Sequence, residues 1–178
     1  MITVISGTNN KGNKTRIFAQ HIYHSLQSKT DTPVEYLALD EIKHDYFFPE
    51  MYKSPANGLI KIQDELILPA QKFIIISPEY NGGLAGVLKL FIDACSVRQY
   101  SANFKGKKVA LVGVASGRAG NLRGMDQLTQ ILSHVGAIVM PNKLPISSIG
   151  KILNEENEIV LDSTLKAIDK HLDDFLLF

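Results

Sequence analysis

The sequence predicts one α/β domain of three layers, a parallel sheet of five strands between two sets of helices. Two observations carry this. Short β-branched runs alternate along the chain with longer segments of helical period, the pattern of a parallel sheet covered on both faces. At 178 residues the chain also has room for one ordinary core and not for two, so residues 1–178 read as a single domain. The predicted strands are Ile2 to Ser6, Val34 to Leu39, Phe73 to Ser77, Val109 to Ala115 and Ala137 to Met140. The first helix runs from Asn13 to about Ser28, with Phe18, Ile22 and Leu26 on one face and Gln20, His24 and Gln27 opposite. A second helix opens at Ser54-Pro55, a good cap followed by a good first residue, and runs through Leu59, Ile62 and Leu66 until Pro69 closes it. A helix after Asn121 carries Leu122, Met125, Leu128, Leu132 and Val135 and stops at Gly136, and a last one starts near Ser163.

The helix over residues 84–97 differs from these. Leu84, Val87, Leu88, Leu90, Phe91, Ile92, Ala94, Cys95 and Val97 surround almost its whole circumference. A sheet covers only one side of such a helix, so another part of the chain or a second subunit must cover the other. The second choice predicts a homodimer or homotetramer built through this helix. The Tyr46-Phe47-Phe48 cluster falls in the least regular stretch, residues 40–53, where it reads equally as a lid, a subunit contact or a buried loop anchor.

Charge and composition exclude several classes of function. Lys and Arg total 19 against 18 Asp and Glu, a net charge of +1, and no basic stripe runs along the chain, so no nucleic-acid partner is expected. Cys95 is the only cysteine, which forbids an intrachain disulfide and points to a reducing compartment, the cytoplasm by default. Strand-like sequence begins directly after Met1 and no apolar run approaches bilayer length, so the chain reads as soluble, unprocessed and without a membrane partner. His21 and His24 sit at a metal-compatible spacing but lack a third ligand, so no metal site is expected, and Cys95 reads as a packed thiol.

Between the first strand and the first helix lies Gly7-Thr8-Asn9-Asn10-Lys11-Gly12-Asn13-Lys14-Thr15. Strand, glycine-bounded polar loop and helix start is an arrangement that binds phosphate through unpaired N–H groups and the positive end of the helix. A solvated turn is the plainer alternative. Two familiar phosphate loops fail. The spacing of Gly7 and Gly12 does not make a dinucleotide fingerprint, and Asn13 stands between Gly12 and Lys14-Thr15 where a mononucleotide P-loop has none. The run ending at Ile76 leads into Ser77-Pro78 and not into a magnesium-binding aspartate, which disfavours an ATPase, a kinase or a phospho-acceptor receiver domain.

The loop after the third strand, Ser77-Pro78-Glu79-Tyr80-Asn81-Gly82-Gly83, offers an aromatic face, an amide and backbone donors to a flat heterocycle. Pro78-Glu79-Tyr80-Asn81-Gly82, followed by Gly86-Val87-Leu88-Lys89 and Asp93, resembles the signature of the NADPH-dependent FMN reductase family. Gly7 to Arg16, Gly106-Lys107 through Val112, Ser116-Gly117-Arg118-Ala119-Gly120, Gly136-Ala137 and Pro141 extend the resemblance over nearly the whole chain. It implies a flavodoxin-like α/β three-layer sandwich with strand order 2-1-3-4-5.

The resemblance further implies that Thr8, Asn10, Asn13 and Thr15 contact the FMN phosphate. Pro78, Glu79, Tyr80, Asn81 and Gly82 would line the flavin ring, and Ser116, Gly117 and Gly120 would close its other side. Many members carry an arginine where this chain has Asn10. Its loss removes a charge-assisted contact worth roughly 1.5–3 kcal/mol, about tenfold to a hundredfold in affinity, unless Lys11 or Arg16 compensates. Looser, exchangeable FMN is the expectation.

The implied activity is FMN-dependent transfer of hydride from NADPH or NADH to a small-molecule acceptor such as a flavin or quinone. The cofactor carries the reactivity, so no catalytic side chain is required, and the backbone of Asn81, Gly82, Gly83 and Gly117 would assist. Arg118 and Arg123 are candidates for the nicotinamide dinucleotide's phosphates. The competing readings are a non-catalytic electron carrier, disfavoured because carriers of this architecture present a strongly acidic face, and a ligand-binding domain with weak flavin affinity.

Overall fold

Strand β1 (Ile2–Ser6) is buried along its whole length, as the centre of a sheet covered on both faces must be. In the computed structural model, which describes Met1–Phe178, it pairs in parallel with β2 (Val34–Ala38) on one side and β3 (Lys72–Pro78) on the other. Strand β4 (Lys108–Val114) pairs with β3, and the order is β2-β1-β3-β4-β5, as expected.

The outer edge differs from a single fifth strand. Two short pieces, β5 (Ile138–Val139) and β6 (Leu144–Ile146), pair in parallel with the lower and upper halves of β4. Pro141 falls in the break, and Pro145 lies within β6, where an edge position tolerates a residue without an N–H.

Helices α1 (Thr15–Lys29) and α6 (Asp162–Leu177) cover one face, burying Phe18, Ile22, Leu26, Ile168, Leu172 and Phe175 against Ile2, Val4, Ile74, Ile76, Ala110 and Val112. The other face is covered by α2 (Asn57–Ile62), α3 (Gly86–Ser96) and α5 (Leu122–His134), with the short α4 (Tyr100–Asn103) after α3. Each fully buried Leu, Ile or Phe side chain contributes about 1.5–3 kcal/mol to these layers.

The second helix begins later than Ser54-Pro55 suggests. Its first residue is Asn57, and Ser54 makes no cap. Gly58 in its first turn makes room for the aromatic segment, since a Cβ there would lie 1.9 Å from the Tyr46 hydroxyl. The aromatic segment lies across the opening turn of α2, so Tyr46, Phe47 and Phe48 are half-buried anchors of the loop against the core. Helix α2 then widens into a π turn, Gln63–Ile67. The turn buries Gln63, whose Nε2 donates to the carbonyls of Cys95 (2.9 Å) and Arg98 (2.8 Å) at the end of α3. Asn103 donates to the same two carbonyls at 2.9 Å. The otherwise unpaired carbonyls at the C-terminus of α3 are thereby satisfied from two directions.

These contacts correct the argument for a subunit interface on residues 84–97. Met51, Leu59 and Ile67 from the preceding segment and Met125, Leu128 and Leu132 from α5 join the core that buries Leu88, Phe91, Ile92, Ala94 and Cys95. The chain itself therefore covers the second side of the helix, and of its apolar residues Leu84, Val87, Leu90 and Val97 are left half-buried. Cys95 is a packed thiol, its pKa pushed up to about 12 by burial.

Candidate functional site

The sheet reverses its winding between β1 and β3, whose following loops touch through Thr8 and Tyr80, and the loop after the neighbouring β4 leaves the same carboxyl edge. Gly7 allows the first loop to leave β1, because its N–H bonds the carbonyl of Ile76 at 2.8 Å and a Cβ would come within 2.8 Å of that same oxygen. Beyond it the chain turns through Gly12, at φ 69°, into α1. The N–H groups of Lys11, Gly12, Asn13, Lys14 and Thr15 find no acceptor in the chain, a run of donors at the positive end of a helix.

Thr8 is fully buried, and its Oγ1 accepts the N–H of Asn10 at 3.2 Å. The Asn13 amide is spent on the loop itself, with Nδ2 donating to the carbonyl of Asn10 at 2.6 Å and Oδ1 accepting the N–H of Arg16 at 2.8 Å. Thr15 is buried at the first position of α1, and Asn10 is exposed.

No cation turns toward this run of donors. Arg16 is drawn away by two carboxylates: its Nη2 donates to Glu41 and its Nη1 to Asp40 at 3.0 Å, contacts that raise its pKa, Glu41 most. Lys11 Nζ donates to the carbonyl of Asp40, and Lys14 Nζ to Oδ1 of Asn157, far along the chain. Neither Lys11 nor Arg16 stands in for the missing arginine. A phosphate here would be met by N–H dipoles and by the amide of Asn10.

In the second loop, Tyr80 and Gly83 exchange both backbone hydrogen bonds at 3.0 Å, around Asn81 (φ 51°) and Gly82 (φ 77°). Positive φ at both central residues is the demand that an Asn-Gly hairpin turn satisfies. The N–H groups of Asn81 and Gly82 are left without acceptors in the chain. That of Gly83 donates to Tyr80, which removes it from the expected backbone donors, and that of Glu79 donates to Val114 at 3.2 Å. Pro78 is buried at the end of β3, and Tyr80 is 41 % exposed, its hydroxyl 3.2 Å from Thr8 Oγ1.

The third loop holds Ser116, Gly117, Arg118 and Ala119 exposed, with N–H groups that meet no acceptor in the chain. Gly120 has a different place from the one expected of it. It is buried at φ 56°, a Cβ on it would lie 2.7 Å from Pro145, and its carbonyl sits where a Cβ on Gly113 would be, 2.1 Å away. It shapes the loop by letting it lie down on β4 and β6. Sequence reading also missed Asn121 and Gln127, which reach from α5 to the second loop. Neither lies in a motif, and only the folded contact reveals them.

Three sets of free backbone donors, at Lys11 to Thr15, Asn81 to Gly82 and Ser116 to Ala119, fit a ligand with an anionic tail and a flat polar ring. Together with the sheet order they define a flavodoxin-like α/β protein built to hold a flavin nucleotide.

The chain belongs to the NADPH-dependent FMN reductase family, whose family model matches residues 1–151. It is an oxidoreductase that uses FMN and takes its electrons from NAD(P)H. An NADPH azoreductase from Bacillus sp. (strain OY1-2) is 28 % identical over 152 residues, 83 % of this chain and 77 % of that protein. A 2-hydroxy-1,4-benzoquinone reductase from Burkholderia sp. is 22 % identical over 159 residues, 89 % of this chain and 86 % of that protein. Among solved structures, the flavoenzyme NAD(P)H:(acceptor) oxidoreductase FerB from Paracoccus denitrificans superposes with a TM-score of 0.77 at 22 % identity, covering 98 % of this chain and 94 % of that one, a likeness of fold. No helix is long and apolar enough to cross a membrane.

Proposed function

We propose that the three loops hold FMN with its phosphate on the N–H groups of Lys11 to Thr15, aided by Thr8, Asn10 and Thr15, and its ring between Pro78 to Gly82 and Ser116-Gly117. The observation that carries this is the set of unpaired backbone donors in the three loops that follow β1, β3 and β4 at the carboxyl edge of the sheet. Asn13 supports the site by folding the loop, since both ends of its amide are engaged there.

When bound, FMN supplies a ring that accepts hydride from the nicotinamide and passes the electrons on. The chain's own part is to orient. The unpaired N–H groups of Asn81, Gly82 and Gly117 would donate to ring atoms that gain negative charge, beside the buried Pro78. Exposed Arg118 and Arg123 beside the same opening suit the phosphates of the dinucleotide donor. The acceptor is a small aromatic oxidant; the names of the relatives favour quinones and azo compounds.

The single, buried thiol suits a reducing cytoplasm. Pairing of copies through residues 84–97 has support only from the half-buried Leu84, Val87, Leu90 and Val97. Oxidation of NADPH and of NADH at 340 nm, with FMN present and benzoquinone or an azo dye as acceptor, tests the activity. Turnover dependent on both FMN and acceptor is expected, and its absence with every quinone, azo and flavin acceptor overturns the reading.

A further inference from the structure

Helix α5 grips the second loop at both ends. Asn121, only 1 % exposed, takes a left-handed φ of 62° just before the helix, and its Nδ2 donates to the carbonyls of Ser77 at 2.9 Å and Pro78 at 2.8 Å. Further along α5, Gln127 Oε1 accepts the N–H of Leu84 at 3.2 Å. Between these anchors the loop closes on itself through Tyr80 and Gly83, which leaves the N–H groups of Asn81 and Gly82 unspent.

The fold makes room for this clamp at visible expense. A Cβ on Gly124 would lie 2.1 Å from Asn121 Oδ1, and one on Gly113 would lie 3.1 Å from Asn121 Cβ, so two glycines carve the nook. Asn121 Oδ1 is buried without a partner. An apolar residue of similar shape would avoid that penalty but would leave the strand-end carbonyls without the donor.

Sheet pairing ends at Pro78 and Val114, and past that point the only backbone bond from the second loop to β4 is Glu79 N–H to Val114. The side chain of Asn121, the residue directly after Gly120, is therefore what carries the fixed spacing of β3 and β4 out into the second and third loops.

We propose that Asn121 and Gln127 are positioning residues for the flavin ring, setting the separation of the second and third loops before any ligand arrives. The proposal rests on reading the site as a flavin site. Asn121→Gly tolerates the left-handed backbone while deleting the clamp. Gln127→Leu deletes the other anchor, and Gln127→Glu keeps an acceptor for Leu84.

Two readouts decide it. In the protein without flavin, amide exchange at Tyr80 and Gly83, whose N–H groups close the loop, rises about tenfold or more in Asn121→Gly. FMN affinity falls about tenfold or more in Asn121→Gly and Gln127→Leu but stays within about threefold of the parent in Gln127→Glu. The far-UV circular dichroism of each variant checks that it is folded. Folded Asn121→Gly with exchange and FMN affinity both within about twofold of the parent overturns the proposal. A parent protein that ignores FMN overturns the flavin reading instead, and amide exchange then decides by itself whether the clamp holds the loop.

Discussion

The hydroxyl of Tyr80 lies 3.2 Å from Oγ1 of Thr8, joining the loop expected to face the flavin ring to the loop expected to hold its phosphate. Thr8 is fully buried and Tyr80 is 41 % exposed, so the contact sits at the wall of the site and not beneath it. Removing the hydroxyl tests how far the two loops depend on each other. Tyr80→Phe deletes one neutral hydrogen bond, worth about 0.5–1.5 kcal/mol, and should weaken FMN by about twofold to tenfold with little change in melting temperature. Quenching of flavin fluorescence measures the first and calorimetry the second.

Arg16 should matter to the fold and not to the ligand. It pairs with Asp40, whose side chain is 3 % exposed, and with the exposed Glu41. Arg16→Leu strands the buried carboxylate of Asp40, for about 1–3 kcal/mol of stability, which in a chain of this size lowers the melting temperature by roughly 2–10 °C. FMN affinity of the folded fraction should stay within about twofold. A large loss of affinity without loss of stability would mean that Arg16 turns to the phosphate after all.

Stability should fall in mild acid because of His171. The ring is 3 % exposed, its Nε2 has no partner, and burial pulls its pKa down to about 4, against a smaller opposing pull from Asp174. In the unfolded chain the pKa is near 6.5, so between those values the unfolded state binds a proton that the folded state refuses. Stability is therefore lost as pH falls from about 6.5 toward 4, by up to about 3 kcal/mol from this group. Urea unfolding of the parent and of His171→Leu at pH 8, 6 and 5 checks it, with about half the acid slope or less expected for the variant.

Gly113 should resist even the smallest side chain. A Cβ there would meet the carbonyl of Gly120 at 2.1 Å, backbone against backbone. Gly113→Ala must lift the third loop off β4, which costs about 1–3 kcal/mol and loosens the ring side of the site. Melting temperature and FMN affinity should fall together, whereas Gly117→Ala, with no heavy atom within 4 Å of its Cβ position, should leave the melting temperature nearly unchanged.

Much of this fold is written locally. The β-branched runs at Ile2 to Ser6, Phe73 to Ser77 and Val109 to Val114 lie in a sheet covered on both faces, and the three-and-four spacing of α1, α5 and α6 survives intact. The loops of the site were legible for the same reason, since glycine and asparagine at strand ends announce turns with exposed donors.

What escaped depends on partners distant in sequence. Leu144–Ile146 is a strand because β4 offers an edge to it, although its own Pro145 argues against one. Arg16 and Lys11 look like phosphate ligands until Asp40 and Glu41 arrive beside them from the end of β2. The apolar circumference of α3 leaves open whether the chain or a second subunit covers it, because nothing local reveals that residues 51–67 fold over it.

The central claim is that backbone N–H groups at three loops hold FMN, and amide chemical shifts report on those groups directly. In a proton–nitrogen correlation spectrum of the labelled protein titrated with FMN, the largest shifts should fall on Lys11 to Thr15, Asn81, Gly82 and Ser116 to Ala119, with inorganic phosphate moving only the first set. Saturable shifts concentrated elsewhere, or none at millimolar FMN, would contradict the account.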